Sequence, residues 1–374
     1  MSLKKSKLNR DSMISIIKRK YAKEHMDISN FRVEEGYAFP PERVYIALND
    51  SCQCHCKMCA NSKKTSDDRS FSEDVLDKIV KELSDFGTYF VFYRQEPLMY
   101  EDFRKCLEII NQYGAKCQIT TNGLLLDKYI DEILDSNVTK LWVSIDGYGE
   151  THDTIRGYKG CFDKVIDNVE RLLERRGDES KLMVGISTSC HKYNYLNLIE
   201  LAKFVQHLPI DVMVVNQMRF CTEEMASSDM GYASNSSLKS EEYSILDVDP
   251  QKYMEVQKSV KELLGGRVIF NPEFRTEADV ERYYEDRLNP YESISCMSSW
   301  LSCDVTVDGE IEFCNIMHSF NPGLTVRNNS FMDVWNSQEV RAARLNILEN
   351  TPRTSCGRCS HMLSMPNLIF DSML

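Results

Sequence analysis

The chain has 374 residues, 42% hydrophobic and 27% charged, a globular balance with enough apolar surface for a real core, which excludes a disordered polypeptide. Length allows two domains, or one large fold with an appendage. With 45 Lys and Arg against 57 Asp and Glu the net charge is −12, which argues against a phosphate-tracking, nucleic-acid-binding surface, and no apolar run reaches the length of a membrane span or secretion signal, so a cytoplasmic protein is expected.

In chain order, residues 1–40 suggest an N-terminal helical extension, with a helix from Met13 to Glu24 and a polar connector. From about 44 to 217, short β-branched or aromatic runs alternate with helix-period stretches. Strands are expected over 44–48, 89–93, 116–120, 140–144, 182–186 and 211–215, and helices over 75–86, 103–113, 162–175 and 196–205. Six βα units in succession predict a parallel sheet covered by helices, either doubly wound or curled into a barrel. Residues 222–250 are rich in Ser, Glu and Asp and read as a long surface loop or lid, or as a plain linker. A helix over 251–264 and a short strand over 267–270 follow.

Fourteen cysteines without a secretion signal point to metal or redox ligands rather than a disulfide framework. Cys106, Cys117, Cys161, Cys190 and Cys221 stand singly and read as small buried hydrophobes. The others form two groups. In the first, Cys52, Cys56 and Cys59 are separated by three and then two residues, directly after the first predicted strand. Such a loop can point three thiolates at one iron–sulfur cube and leave the fourth iron open. A zinc knuckle using His55 is the alternative, but a structural zinc wants a fourth ligand and its own small domain. The C-terminal end of a parallel strand, where such folds place active sites, favours iron–sulfur.

These residues resemble the signature of the radical S-adenosylmethionine (SAM) superfamily. The likeness continues through Arg94-Gln95-Glu96-Pro97 for the family's Gly-Gly-Glu-Pro, Thr121-Asn122-Gly123 for Thr-Asn-Gly, Ser144-Ile145-Asp146-Gly147 for Ser-Ile-Asp-Gly, and His152-Asp153-Thr154-Ile155-Arg156-Gly157. The resemblance implies an α/β fold, a partial (βα)6 TIM-like barrel, in which the open iron chelates the amino and carboxylate groups of SAM. It further implies that Met58, Gln95, Glu96, Asn122, Ser144 and Asp146 hold SAM, with Arg156 near its carboxylate or the substrate. Three positions depart from the family pattern: Arg94 and Gln95 stand where glycines let the backbone approach, and Met58 stands where an aromatic is usual. Cys54 has no family counterpart. Taken singly, Asn122 could be a turn former, Asp146 a helix cap and Arg156 a surface cation.

In the second group, Asp308-Gly309 between two alternating runs predicts a hairpin that holds Cys296 or Cys303 near Cys314, and Cys356-Gly357-Arg358-Cys359 adds a paired loop. This tail resembles the auxiliary-cluster domain called SPASM in its long form and twitch in its short form. The short form implies one 4Fe-4S cluster on Cys296, Cys314, Cys356 and Cys359. Cys303 has three readings: a replacement ligand, a catalytic hydrogen donor, or an inert hairpin residue. Arg341 and Arg344, near Trp335, are expected to serve packing and solvation. The expected division is an extension over 1–40, a barrel over 41–285 and an auxiliary domain over 286–374.

Together the resemblances imply SAM and two 4Fe-4S clusters as cofactors and a reducing flavodoxin- or ferredoxin-type donor as partner. The expected reaction is a radical SAM oxidation: a 5′-deoxyadenosyl radical takes hydrogen from a small hydroxylated, sugar- or aminocyclitol-like substrate and the auxiliary cluster accepts an electron. Roughly 40 residues before the first strand leave little room for a leader-binding domain of the kind peptide-modifying relatives often carry. A peptide or protein maturase, an epimerase, and a non-catalytic metal-binding module are the alternatives.

Overall fold

Short runs of Val, Ile and aromatic residues, flanked by amphipathic stretches, assemble into one nine-stranded sheet. The computed structural model describes residues 32–59, 69–177, 180–228, 238–286, 298–313, 323–350 and 354–358, with Ile14, Ser15, Lys18 and Leu288. Chain order through the first part is β1 (Arg43–Ile46), α1 (Glu73–Leu83), β2 (Tyr89–Phe92), α2 (Phe103–Gln112), β3 (Lys116–Thr121), α3 (Ile130–Leu134), β4 (Val138–Ser144), α4 (Glu150–Arg156), α5 (Cys161–Arg176), β5 (Met183–Cys190), α6 (Leu198–Val205) and β6 (Val212–Gln217). Each strand lies parallel to the next. This is the expected partial barrel. Helices close its outer face by period: α1 buries Val75, Leu76, Ile79, Val80 and Leu83, and α2 buries Phe103, Cys106, Leu107, Ile109 and Ile110.

The segment 222–250, which lacks periodicity, contains a short helix, α7 (Glu223–Ser228), and a 3-10 turn over Ser240–Leu246, with residues 229–237 outside the description. Buried Met225, Ile245 and Leu246 explain why these pieces order: a few apolar contacts suffice without an amphipathic repeat. Next come α8 (Pro250–Leu264), β7 (Val268–Asn271), which pairs in parallel with β6, and α9 (Glu277–Tyr284).

The tail supplies α10 (Ser298–Leu301), β8 (Ser302–Val305), β9 (Ile311–Glu312), α11 (Phe331–Trp335) and α12 (Gln338–Asn350). The expected hairpin forms, with Gly309 at φ 79 and its N–H bonded to Thr306 O at 2.8 Å. Its first strand also pairs in parallel with β1, so the sheet runs β7-β6-β5-β4-β3-β2-β1-β8-β9. Arg344, expected to serve packing and solvation, is fully buried. It donates to the carbonyls of Ser299, Gly36 and Trp335 at 2.8, 3.0 and 2.6 Å and lies 4.0 Å from the centre of the Trp335 ring. Its guanidinium therefore pins the tail to the start of the barrel, because only bonded carbonyls can make such a buried cation tolerable. Among the described residues, no helix is long and apolar enough to cross a membrane.

Candidate active site at the strand ends

The cysteine loop leaves the end of β1 and is held from two sides. On one, Asn49 accepts from Ser51 N (2.8 Å) and donates to Glu96 O (2.9 Å), while Glu96 N donates to Ser51 O (3.0 Å). On the other, the last carbonyls of α4 accept from the loop: His55 N to Arg156 O and Lys57 N to Ile155 O, both 2.9 Å. The approach is close because Gly157, at φ +63, has no side chain; a Cβ there would sit 2.8 Å from His55 O.

Cys52, Cys54 and Cys56 gather their thiols within this loop. The Cys54 thiol hydrogen-bonds with Cys52, Cys56 and Cys161, and the Cys161 contact foremost, with the others and burial, pushes it far above the ordinary thiol range. As a protonated donor it lowers Cys52, and with help from Arg156 it holds Cys56 down to about 7 against burial. Low pKa is what ligation requires, since the thiolate is the ligand. Asn122 Nδ2 lies 3.8 Å from Cys52 Sγ, and Arg156 Nη1 lies 3.7 Å from Cys56 Sγ. Cys59 and Met58, half-buried, pack against the core at the end of the loop.

Around the thiols the strand-end residues converge. Arg156 is no surface cation: it is 8% exposed and pairs with Asp146 at 2.7 Å. Burial works against its charge, yet Asp146 and the neighbouring thiols keep it protonated. Asp146 is fully buried, accepts from Ser189 N at 2.8 Å, and follows Ser144 at the end of β4. Behind them, His152 accepts from Asp146 N at 3.0 Å and faces Cys161 Sγ at 3.3 Å, and burial followed by Arg156 drives its pKa down to about 3. It is a neutral strut.

The buried Glu96 carboxylate, expected at the SAM amino group, accepts from Leu98 N (3.0 Å), Thr121 Oγ1 (2.6 Å) and Asn122 N (2.7 Å). A carboxylate offers about four lone-pair positions, so protein groups already occupy most of them. Glu96 thus ties the end of β2 to the end of β3 and sets Asn122. Arg94 pairs with Glu312 on β9. Gln95 donates to Asp50 Oδ1 at 3.2 Å.

Cys303, considered as a hydrogen donor or ligand, faces elsewhere. It lies beside Val44 in the β1–β8 register, is 1% exposed, and its thiol is pushed well up by burial on the side that carries Arg344. The adjacent Asp304 takes the opposite face with Tyr93. Strand alternation therefore turns the Cys303 thiol to the face opposite Asp304 and Tyr93. Cys356 is buried in a 3-10 turn, Thr354–Arg358, whereas Cys296, Cys314 and Cys359 lie outside the described residues.

Two site residues were not foreseen from sequence. Gln53, inside the cysteine loop, donates to Asn122 Oδ1 at 3.3 Å. His191, just past β5, accepts from Tyr193 N at 3.2 Å through Nδ1, and burial foremost lowers its pKa to about 4. A single histidine one residue beyond a strand gave no motif to find it by. Buried polar atoms without a hydrogen-bond partner include Gln53 Oε1, Gln95 Oε1, Arg156 Nε and His191 Nε2. Two open acceptors and two open donors suit a ligand carrying both an ammonium and a carboxylate, and the low-pKa thiols suit iron. The residues present fit SAM on a cluster.

The fold and this constellation define a radical SAM enzyme with an auxiliary iron–sulfur domain. The Radical SAM superfamily matches residues 46–205, and SPASM, an iron-sulfur cluster-binding domain, matches residues 296–360. The chain thus contains a radical SAM domain, which binds SAM and a 4Fe-4S cluster, and a SPASM-type domain, which binds auxiliary iron–sulfur. It is 23% identical over 337 residues to the tungsten-containing aldehyde ferredoxin oxidoreductase cofactor-modifying protein of Pyrococcus furiosus, covering 85% of this chain and 86% of that one. It is 27% identical over 173 residues to a GTP 3′,8-cyclase of Synechocystis, covering 45% of this chain and about half, 53%, of the relative. Streptococcus suis SuiB bound to S-adenosylmethionine superposes with a TM-score of 0.63 at 15% identity, covering 92% of this chain and 76% of SuiB. Native anSMEcpe with bound AdoMet gives 0.56 at 15% identity, covering 88% and 99%. At these identities the likeness to both structures is one of fold.

Proposed function

We propose that this radical SAM enzyme oxidises a peptide or protein substrate, with Cys52, Cys56 and Cys59 as the ligands of the SAM-binding cluster and Cys296, Cys314, Cys356 and Cys359 as those of the auxiliary cluster. The observation that carries the oxidation is the pairing of β8 with β1, which places the auxiliary hairpin directly beside the strand that bears the cysteine loop. With SAM and iron–sulfur bound, the site supplies a 5′-deoxyadenosyl radical able to take hydrogen from an unactivated carbon.

The chain's own residues do the positioning. Gln53 and Gln95 offer acceptors to the methionine ammonium, and Arg156, steered by Asp146, offers its Nε to the carboxylate. Asn122, held by Glu96, and Ser144 line the neighbouring strand ends, and Met58 provides an apolar contact for the adenine. A flavodoxin- or ferredoxin-type donor would supply the reducing electron.

For the substrate, the relative matched over most of its length is described as a cofactor-modifying protein, and SuiB bound to precursor peptide SuiA superposes at a TM-score of 0.62. The SuiB–SuiA complex supports a peptide or protein in place of the hydroxylated sugar-like substrate expected from the short auxiliary domain, and the cofactor-modifying relative keeps a cofactor-type small molecule as the second reading. The test is anaerobic turnover of the reconstituted protein with SAM and a reductant against peptide and aminocyclitol panels. Peptide-dependent 5′-deoxyadenosine with a substrate mass loss of about two units is expected. A response confined to the aminocyclitols would return the small-molecule reading, an unchanged substrate mass would indicate isomerisation, and full iron without SAM cleavage would indicate a binding module.

A further inference from the structure

Of the two residues that stand where the family has glycines, Arg94 reaches the auxiliary hairpin directly and Gln95 connects to it through Asp50 and Arg69. Arg94 adopts φ 64, the left-handed region that disfavours a side chain, and it is the one non-glycine residue to do so among those described. Strain of this kind persists where surrounding contacts over-determine it. Here the contacts are specific: the guanidinium pairs with Glu312 on β9 and lies 4.0 Å from Asp304 on β8, which in turn accepts from Tyr93 beside it. The Tyr93 ring packs edge-on against Tyr45 at 5.1 Å, closing the contact over β1. Gln95 begins a second chain of contacts: it donates to Asp50, Asp50 pairs with Arg69, and Arg69 pairs with Asp308 in the hairpin turn.

Two polar routes therefore run from the SAM-side loop to a hairpin whose second strand ends two residues before Cys314. Arg94, Glu312 and Asp304 are each less than one-fifth exposed, so solvent screens this route little, whereas Arg69 and Asp308 are half-exposed and contribute less. Backbone that must close around SAM and backbone that must present the auxiliary site are thus mechanically joined.

We propose that Arg94, seconded by Gln95, is a positioning residue that couples SAM occupancy to the placement of the auxiliary hairpin. The consequence rests on the oxidation reading above, in which the two sites work in sequence, but the coupling is measured without turnover. Hydrogen exchange of the reconstituted full chain, with and without saturating SAM, would be followed by mass spectrometry in wild type, Arg94→Gly, Arg94→Lys and Glu312→Gln. Glycine relieves the backbone strain at 94, so folding is retained, and Glu312→Gln leaves the SAM-side loop unaltered.

SAM is expected to slow exchange over 302–312 by about tenfold in wild type. Arg94→Gly and Glu312→Gln should lose that slowing, and Arg94→Lys should recover part of it. Exchange over 183–190 should be alike in all four proteins. Slowing at 302–312 that persists in both Arg94→Gly and Glu312→Gln, or that is absent from wild type, would overturn the coupling. Failure of the oxidation reading would show separately, as an unchanged substrate mass with the exchange pattern intact.

Discussion

Glu96 shows how a strand-end motif works through the neighbours its side chain ties together. Its three protein donors make Asn122 and Thr121 dependent on one buried carboxylate. Bonds to a charged group contribute about 1.5–3 kcal/mol each and leave orphaned donors when lost, so Glu96→Ala should destabilise by roughly 3 kcal/mol or more. Denaturant unfolding of the metal-free protein checks this, and SAM affinity should fall as a secondary effect of a displaced Asn122. An unfolding midpoint equal to wild type would mean the bridge is absent. The sequence marked Glu96 for the site but not the direction of its carboxylate, because a motif specifies residue type at a strand end and not which neighbours will offer donors.

His152 carries a second residue-scale consequence. Its folded pKa, near 3, lies below the usual 6.5, so between those values the unfolded chain binds a proton that the folded chain does not. Its contribution is therefore present above pH 6.5 and is lost as pH falls, by about 3 kcal/mol between pH 6.5 and 4. His152→Gln should flatten the corresponding part of a stability–pH curve; a curve as steep as wild type would contradict a neutral buried imidazole.

At the scale of elements, α4 acts as a clamp, its final carbonyls holding the cysteine loop across Gly157. Gly157→Ala places a Cβ against His55 O in a disfavoured backbone region, with an expected cost of about 1–3 kcal/mol. Iron content at the first site should fall in that variant while the auxiliary iron stays: cluster spectroscopy on a background lacking Cys314 reads the first site alone and should show the loss, and on a background lacking Cys52, Cys56 and Cys59 it reads the auxiliary site alone and should show no change. By contrast Cys303→Ala on β8 should keep all iron, because that thiol faces the helix layer; iron loss would show that it is a ligand after all. The hairpin itself was legible from Asp308-Gly309 and its flanking alternation. Its pairing with β1 was not, since alternation marks a strand and one face without naming the neighbouring strand. Arg344 was hidden for the same reason: its burial depends on carbonyls from three segments, two of them distant in sequence.

Across the whole molecule, the two cysteine groups predict about eight irons per chain on anaerobic reconstitution. Replacing Cys52, Cys56 and Cys59 together should remove about half of them, and stoichiometric zinc without iron would refute both sites. The cysteine spacings made the cofactors readable in advance, because metal ligation constrains residue type and interval more tightly than packing constrains any core position.

The β1–β8 pairing also bears on how the chain is made. The outer edge of β1 finds its partner only about 260 residues later, so at about 5–20 residues per second a nascent chain carries an open, apolar strand edge for roughly 13–50 seconds. An unpaired edge of this kind is a template for pairing with another chain. Polypeptides ending before residue 302 should accordingly accumulate in inclusion bodies even though every strand from β1 to β7 is complete, and supplying residues 298–313 as a separate segment during refolding should return part of that material to solution.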